Sequence, residues 1–309
     1  MKTFICVAEC GSLSRASDRL RIAQPALSRQ IKLLEHHVGV PLFDRHIRGM
    51  ELTEAGSELL RRVSGVVRQL ETTMQDIQSA HTEISGNVAL AVMPTIAMVV
   101  AARLVAHVAR ELPQVTLRIR EGYSVDIIEW MQRGEVDISF LYGPSSDLHI
   151  RSKELLLEEI ALISPPGALN NTGGQIDFDQ VAGLPLVLPG RRYAMRRIIE
   201  NAAKKAGSSL NIAYEVDSFF ATRAMVMSGI CHAFLPLASL AEEVSAGALE
   251  ARSLGPAGLW RELVLGLPSE RSNTRATNAV VEILMKEIAL MVSQNDWIAQ
   301  PGPELRQLV

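Results

Sequence analysis

Between Gln24 and Val38, the residues that could do chemistry fall on one side of a helix. Pro25, Ser28, Arg29 and Lys32 stand at i, i+3, i+4 and i+7, while Leu27, Ile31 and Leu34 recur at helical spacing on the other side. Pro25 suits a first helical turn, where its φ is pre-set and no needed hydrogen bond is lost. One face asks for a core. The other presents hydroxyl, guanidinium and ammonium donors, with Gln24 beside them. Those groups match a major groove: arginine for guanine edges, glutamine for adenine, serine for either base and cations for phosphate. The expectation is a helix that reads duplex DNA.

Catalytic and metal chemistries find no such constellation. The sequence holds no GxSxG, HExxH, P-loop or GxGxxG pattern, so an enzyme is not expected. His36 and His37 are adjacent, pointing about 100° apart on a helix, and cannot share a metal as i, i+4 histidines do. Cys231 and His232 fall in an expected buried strand, where neighbours face opposite ways. Cys6 and Cys10 are i, i+4 on an expected helix, a spacing unsuited to a structural disulfide and short of a zinc set. Reduced thiols in a cytoplasmic protein are expected, with no metal and no cofactor. No signal peptide precedes the helical pattern and no apolar run is long enough to span a membrane.

The reading helix needs elements to position it. Met1 to Glu9 is patterned as a helix, broken by Gly11. Ser12 is placed to cap a second helix, Leu13 to Leu20, and a short turn then leads to Gln24: a helix-turn-helix. Leu42-Phe43 and Met50 to Leu52 flank the basic turn Asp44 to Gly49, a two-stranded wing whose tip near Arg48 could enter a minor groove. Thr53 opens a long helix with the seam Leu59, Val63, Val66, Leu70, Met74 and Ile77. A seam this narrow favours pairing with a second copy, the other reading being a helix packed on its own domain. Ser79 to Asn87 reads as a hinge.

Charge is divided in the same way. Residues 1–62 hold ten Lys/Arg against seven Asp/Glu, a surplus of three, so the remainder of a chain with net charge −3 carries −6. Alone this describes an ordinary solvated surface; beside the helix pattern it supports nucleic-acid binding.

From Val88 the pattern changes to alternating strands and helices, the signature of an α/β fold with mostly parallel sheet. Expected strands include Val88–Met93, Val115–Ile119, Val136–Leu141, Ile160–Ile163, Leu186–Leu188, Ile212–Val216, Ala233–Leu235 and Leu263–Leu267. A break near Pro165-Pro166-Gly167 suggests two lobes. The expected division is a winged helix-turn-helix over 1–52, a linker and dimerisation helix with its hinge over 53–86, and a two-lobed domain over 87–309. Its first lobe takes about 87–163 and 268–295 and its second about 164–267.

The run GSLSRASDRLRIAQPALSRQIKLLEHHVGVPLFDRHIRGMELTEAG, Gly11 to Gly56, closely resembles the DNA-binding module of LysR-type transcriptional regulators. The likeness extends more weakly along the chain, through GEVDISFLYG (Gly134–Gly143) and SFFATRAMVMSGICHAFLP (Ser218–Pro236). IAQPALS and LYG resemble the nitrogen-assimilation-control type. Members carry a few residues before the position of Met1, so the first helix is expected to be short here, through a late start or a clipped helix. The resemblance implies groove contacts from Gln24, Pro25, Ser28 and Arg29, with Ser12, Ser14 and Lys32 near phosphate and Arg48 in the wing. Lys32 could instead be a solvated charge and Ser12 only a cap. It also implies two lobes like those of periplasmic solute-binding proteins, pairing through Leu59, Val63, Val66 and Leu70, further assembly into tetramers, and RNA polymerase as a partner.

In such lobes ligands bind outside the carboxyl ends of the strands. That rule selects Thr95, Ile96, Tyr123, Ser124, Tyr142, Gly190, Arg191, Ser218 and Phe219 for a small-molecule effector. Thr95 and Ser218 fall at expected helix starts, where hydroxyl and N–H groups suit an anion, or they only cap those helices. Arg191 or Arg192 could add a clamp. A ligand-responsive DNA-binding regulator is the reading. The alternative is a two-lobed solute-binding protein with an N-terminal oligomerisation arm, which would have no salt-dependent affinity for duplex DNA.

Overall fold

The computed structural model describes residues 1–46, 49–78, 83–143, 147, 149–169, 174–269 and 272–308, with the backbone alone for Arg45, Arg68, Gln69, 71–73 and 75–78. Helices α1 (Lys2–Cys10), α2 (Leu13–Leu20) and α3 (Gln24–Val38) are followed by the antiparallel pair β1 (Phe43–His46) and β2 (Gly49–Leu52). Phe4, Val7, Ala16, Leu27, Ile31, Leu42, Phe43 and Met50 form their common core. Burying Leu27 and Ile31 completely contributes about 1.5–3 kcal/mol each, which locks one face of α3 inward. Gly11 ends α1 and Gly39 ends α3, both in the left-handed region.

Glu35, near the end of α3, accepts the Leu42 and Phe43 N–H groups at 2.9 and 3.3 Å and so ties the wing to the reading helix. The Met50 N–H donates to the Gly11 carbonyl at 2.9 Å, seating β2 on the turn between α1 and α2.

Helix α4 (Glu54–Gln78) leaves the wing directly. Thr53 caps it, accepting from the Gly56 N–H at 3.0 Å. Leu59, Leu60 and Val63 lean back on the N-terminal core, whereas Val66, Leu70 and Met74 are 64%, 55% and 55% exposed. The expected seam therefore splits. Leu59 and Val63 are half-buried, because the first turns of α4 lie against α1 and β2, whereas the stripe from Val66 onward is exposed. The Ile77 side chain lies outside the described residues. So do 79–82 of the expected hinge, while Ser85–Asn87 already belong to a strand.

The two-lobed domain runs β3 (Ser85–Val92), α5 (Pro94–Glu111), β4 (Gln114–Glu121), α6 (Ser124–Gln132), β5 (Ile138–Tyr142), β6 (Ile150–Ser164), β7 (Gln175–Ile176), α7 (Phe178–Val181), β8 (Leu186–Leu188), α8 (Ala194–Lys205), β9 (Ile212–Glu215), α9 (Phe219–Met227) and β10 (His232–Pro236). It closes with α10 (Ala241–Ser245), β11 (Glu250–Leu254), β12 (Leu259–Pro268), α11 (Arg275–Ser293), β13 (Ala299–Pro301) and α12 (Pro303–Arg306). The main strand order is β4-β3-β5-β12-β6-β10-β8-β9. Pairing is parallel at β4-β3-β5 and at β10-β8-β9, with antiparallel joins between.

Two long strands join the lobes. β6 pairs with β12 from Ile150↔Pro268 to Ile160↔Leu259, and its last residues pair with β10 of the second lobe. This moves the expected boundary. Residues 263–266 pair with β5, and α11, Trp297 and Leu305 complete the core of the first lobe, so the expected second lobe ends too late and the expected first lobe stops short at 295. Only Ile160–Ile163 of β6 is expected as strand from the sequence. The half before it, IRSKELLLEE, carries charges between apolar residues because it is wholly buried only in places. Gly134, with φ +65°, passes close to Gly65 of α4, where an added Cβ would lie 2.5 Å from the Gly65 Cα.

Candidate nucleic-acid interface and effector cleft

On α3, Gln24, Pro25, Arg29 and Lys32 are exposed and Ser28 is half-buried, all opposite the buried Leu27 and Ile31. Ser14 is exposed on α2. Ser12 occupies the N-cap position of α2 with extended backbone, yet its side chain makes no capping bond, so capping does not occupy its hydroxyl. Gln30, by contrast, is held by the Thr3 hydroxyl across to α1. Arg48 lies outside the described residues. The exposed donors thus share one surface of a module whose other surface is core.

The strand-end residues converge on an inter-lobe cavity of about 340 Å³. Thr95, Tyr123, Ser124, Tyr142, Ser218 and Phe219 line it. Three expected residues do not. Ile96 turns into the core of the first lobe, one residue past the helix start. Gly190 is buried behind the rim, its N–H donating to Asp217 at 2.9 Å. Arg191 is exposed beside the cavity, and its neighbour Arg192 lines it instead. Apolar walls come from Met93, Val125, Ile128, Val187, Val216, Phe234 and Leu235.

Thr95 is not a cap. Met93 holds the N-cap position of α5 with Pro94 in the first turn, and the Thr95 hydroxyl pairs with the Tyr142 hydroxyl at 3.0 Å. Ser218 does cap α9, accepting from the Ala221 N–H at 3.3 Å.

The floor of the cavity holds a residue the strand-end rule does not select. Arg261, on β12 and 3% exposed, donates to Glu158 on β6 through Nε at 2.6 Å and Nη2 at 2.5 Å. Its guanidinium lies 3.8 Å from the centre of the Tyr142 ring, and Nη2 donates to the Thr95 hydroxyl at 3.3 Å. The pair thus joins the two strands that cross between lobes. Burial pushes the Glu158 carboxyl up, with Arg261 opposing; burial also pushes the Tyr142 phenol well up, with the same arginine opposing. The charges at positions 261 and 158 sit inside charged-apolar alternation on their strands, and only the pairing of β6 with β12 brings them face to face.

The mouth is closed by Tyr123. Its hydroxyl donates to the Asp217 carbonyl of the opposite lobe, and its ring meets Tyr193 at 4.8 Å between centroids. Arg192 stacks on Tyr193 at 4.7 Å and reaches Asp217 at 3.3 Å. Burial pushes the Tyr123 phenol up. The cavity can therefore enclose a small, largely apolar molecule with one polar end directed at Thr95, Tyr142 and Arg261.

Among the described residues no helix is long and apolar enough to cross a membrane, and no cluster of three or more His, Cys, Asp or Glu is arranged to hold a metal ion. Residues 1–57 match the family described as bacterial regulatory helix-turn-helix protein, lysR family, and residues 81–289 match the LysR substrate binding domain. The chain is 29% identical over 301 residues to the HTH-type transcriptional regulator BbuR of Bordetella bronchiseptica, covering 97% of this chain and 93% of that protein. It is 28% identical over 290 residues to the nitrogen assimilation regulatory protein nac of Klebsiella aerogenes, covering 94% of each.

Among solved structures it is similar to a full-length OxyR variant of Pseudomonas aeruginosa, with TM-score 0.75, 22% identity and 93% of each chain covered. It is also similar to full-length CbnR complexed with target DNA, with TM-score 0.67, 21% identity and coverage of 92% of this chain and 96% of that one. At that identity the likeness concerns the fold. With its helix-turn-helix and its two-lobed domain both matched, the chain belongs to the LysR family and is a ligand-responsive, DNA-binding transcriptional regulator.

Proposed function

We propose that Gln24, Pro25, Ser28 and Arg29 read base edges in a major groove, that Ser12, Ser14 and Lys32 hold the flanking phosphates, and that the wing with Arg48 enters the adjacent minor groove. The observation that carries this is the division of α3: its apolar face is locked in the core while Gln24, Pro25, Arg29 and Lys32 stand free. Two copies pair through the exposed stripe of α4, and pairs assemble further into tetramers that act in the cytoplasm, with RNA polymerase as a partner. A two-fold dimer asks for an inverted-repeat operator. The effector is a small organic molecule with one polar or anionic end, enclosed among Thr95, Tyr123, Ser124, Tyr142, Ser218 and Phe219, with Arg261 beneath it and Arg192 above.

The test is titration of the full chain with duplex DNA carrying candidate inverted repeats at several salt concentrations. Affinity should fall steeply with salt, by a log–log slope of about −0.9 for each phosphate contacted. Salt-independent or absent duplex binding would leave only an oligomerisation arm. For the cleft, small carboxylates are screened by thermal shift. A shift that Thr95→Ala abolishes supports the site; no shift with any of them, and none altered by Thr95→Ala, removes the anionic reading.

A further inference from the structure

The thiols of Cys6 and Cys10 lie one turn apart on α1, outside everything assigned to DNA or effector. Cys6 is buried in the same core as Leu27 and Ile31, yet it also lines an open groove of about 1330 Å³ together with Glu9 and Arg19; Cys10 is half-buried. Cys10 packs against the same core, and Arg19 pairs with Glu9 at 2.7 Å across that groove.

Helical spacing decides what such a pair can do. Residues at i and i+4 have Cβ atoms about 5–6 Å apart, whereas a disulfide needs about 3.5–4.5 Å. Direct oxidation to a bridge would therefore distort the helix. One atom inserted between the sulfurs fits better: two metal–sulfur bonds of about 2.3 Å each reach across the gap. Zinc asks for four ligands, and no third His, Cys, Asp or Glu joins the pair among the described residues. Soft thiolate ligands without further donors select a d10 monovalent ion such as Cu(I).

We propose that Cys6 and Cys10 form a two-coordinate thiolate site for a soft monovalent ion of the Cu(I) type. Binding replaces both thiol protons: two thiols and one M⁺ give an M(S)₂ bridge of charge −1 and release two protons, with no change in oxidation state. Arg19, which lines the same groove as Cys6, offsets that negative charge. The bridge would brace the last turn of α1, and the Gly11 carbonyl just beyond it anchors the wing through Met50.

The probe is Cu(I) itself, added anaerobically to the reduced full-length protein with a chromogenic Cu(I) chelator in competition. One equivalent should protect the half-buried Cys10 from a thiol reagent and release about two protons. Cys231→Ser should leave this unchanged, whereas Cys10→Ser should abolish chelator-resistant binding. Cys10 is half-exposed, so that variant is expected to fold, which its melting curve checks; Cys6→Ala should behave as Cys10→Ser does. Release of fewer than two protons, capture of the ion through Cys231, or undiminished binding by folded Cys10→Ser would overturn the proposal.

Discussion

Two arginines illustrate opposite uses of the same side chain. Arg29 is exposed on α3, where a rigid fork can meet a guanine edge. Arg29→Ala should cost about 1–3 kcal/mol at one base pair and relax specificity there. Binding to a panel of operator variants checks this; equal weakening on every sequence would make it a phosphate contact instead. Arg261 is spent inside the protein on Glu158. Removing one partner of a buried ion pair strands the other, so Arg261→Met should destabilise the effector domain by about 3–5 kcal/mol, while Arg261→Met with Glu158→Leu should recover most of that loss. Chemical denaturation of the three proteins separates the cases. If the double variant is as unstable as the single, the loss comes from Tyr142 and Thr95 rather than from a stranded carboxylate.

Among the elements, α4 joins two duties along its length. At its start, Gly56 faces the Leu42 carbonyl so closely that an added Cβ would lie 2.0 Å from the oxygen. Alanine is the better helix former by about 1 kcal/mol, but overpacking against backbone typically costs about 1–3 kcal/mol, and backbone cannot rotate away. Gly56→Ala should therefore lower the melting temperature and weaken duplex binding together; a rise in melting temperature would mean that the helix start is free to shift. Further on, Val66, Leu70 and Met74 recur every four residues and remain exposed. Leu70→Asp should reduce the dimer to a monomer by sedimentation, with the N-terminal core unaffected because Leu59, Leu60 and Val63 supply its contact with α4. An unchanged mass would place the pairing face elsewhere.

For the whole molecule, β6 and β12 join the lobes and Tyr123 bridges them at the mouth of the cavity. Tyr123→Phe removes the bond to the Asp217 carbonyl and keeps the ring contact with Tyr193. A net hydrogen bond contributes about 1 kcal/mol, so effector affinity should fall roughly fivefold, mostly through faster dissociation. Stopped-flow release measures it, and an unchanged rate would show that this bond does not retain the effector.

The sequence by itself determined the reading head. Helical periodicity, Gly11 and Gly39 as stops, and Pro25 as a start are local signals, and they set α2 and α3 to the residue. Those signals work because a short amphipathic helix has one apolar face and few ways to bury it. The strand ends that line the cleft were legible for the same reason: Thr95, Tyr123, Ser124, Tyr142, Ser218 and Phe219 each end or follow a strand that its own pattern announces.

What only the tertiary structure decided involves partners far apart in the chain. Leu59 and Val63 look identical to Val66 and Leu70 in the seam, and only the packing of α1 and β2 against α4 divides them. Arg261 and Glu158 are 103 residues apart and meet because β6 and β12 pair through both lobes. Ile96, Gly190 and Arg191 sit one residue from the cavity wall, and which neighbour faces inward depends on how each loop turns after its strand. Local pattern carries period and punctuation; the identity of a non-local partner is set by pairing and packing, which no single segment encodes.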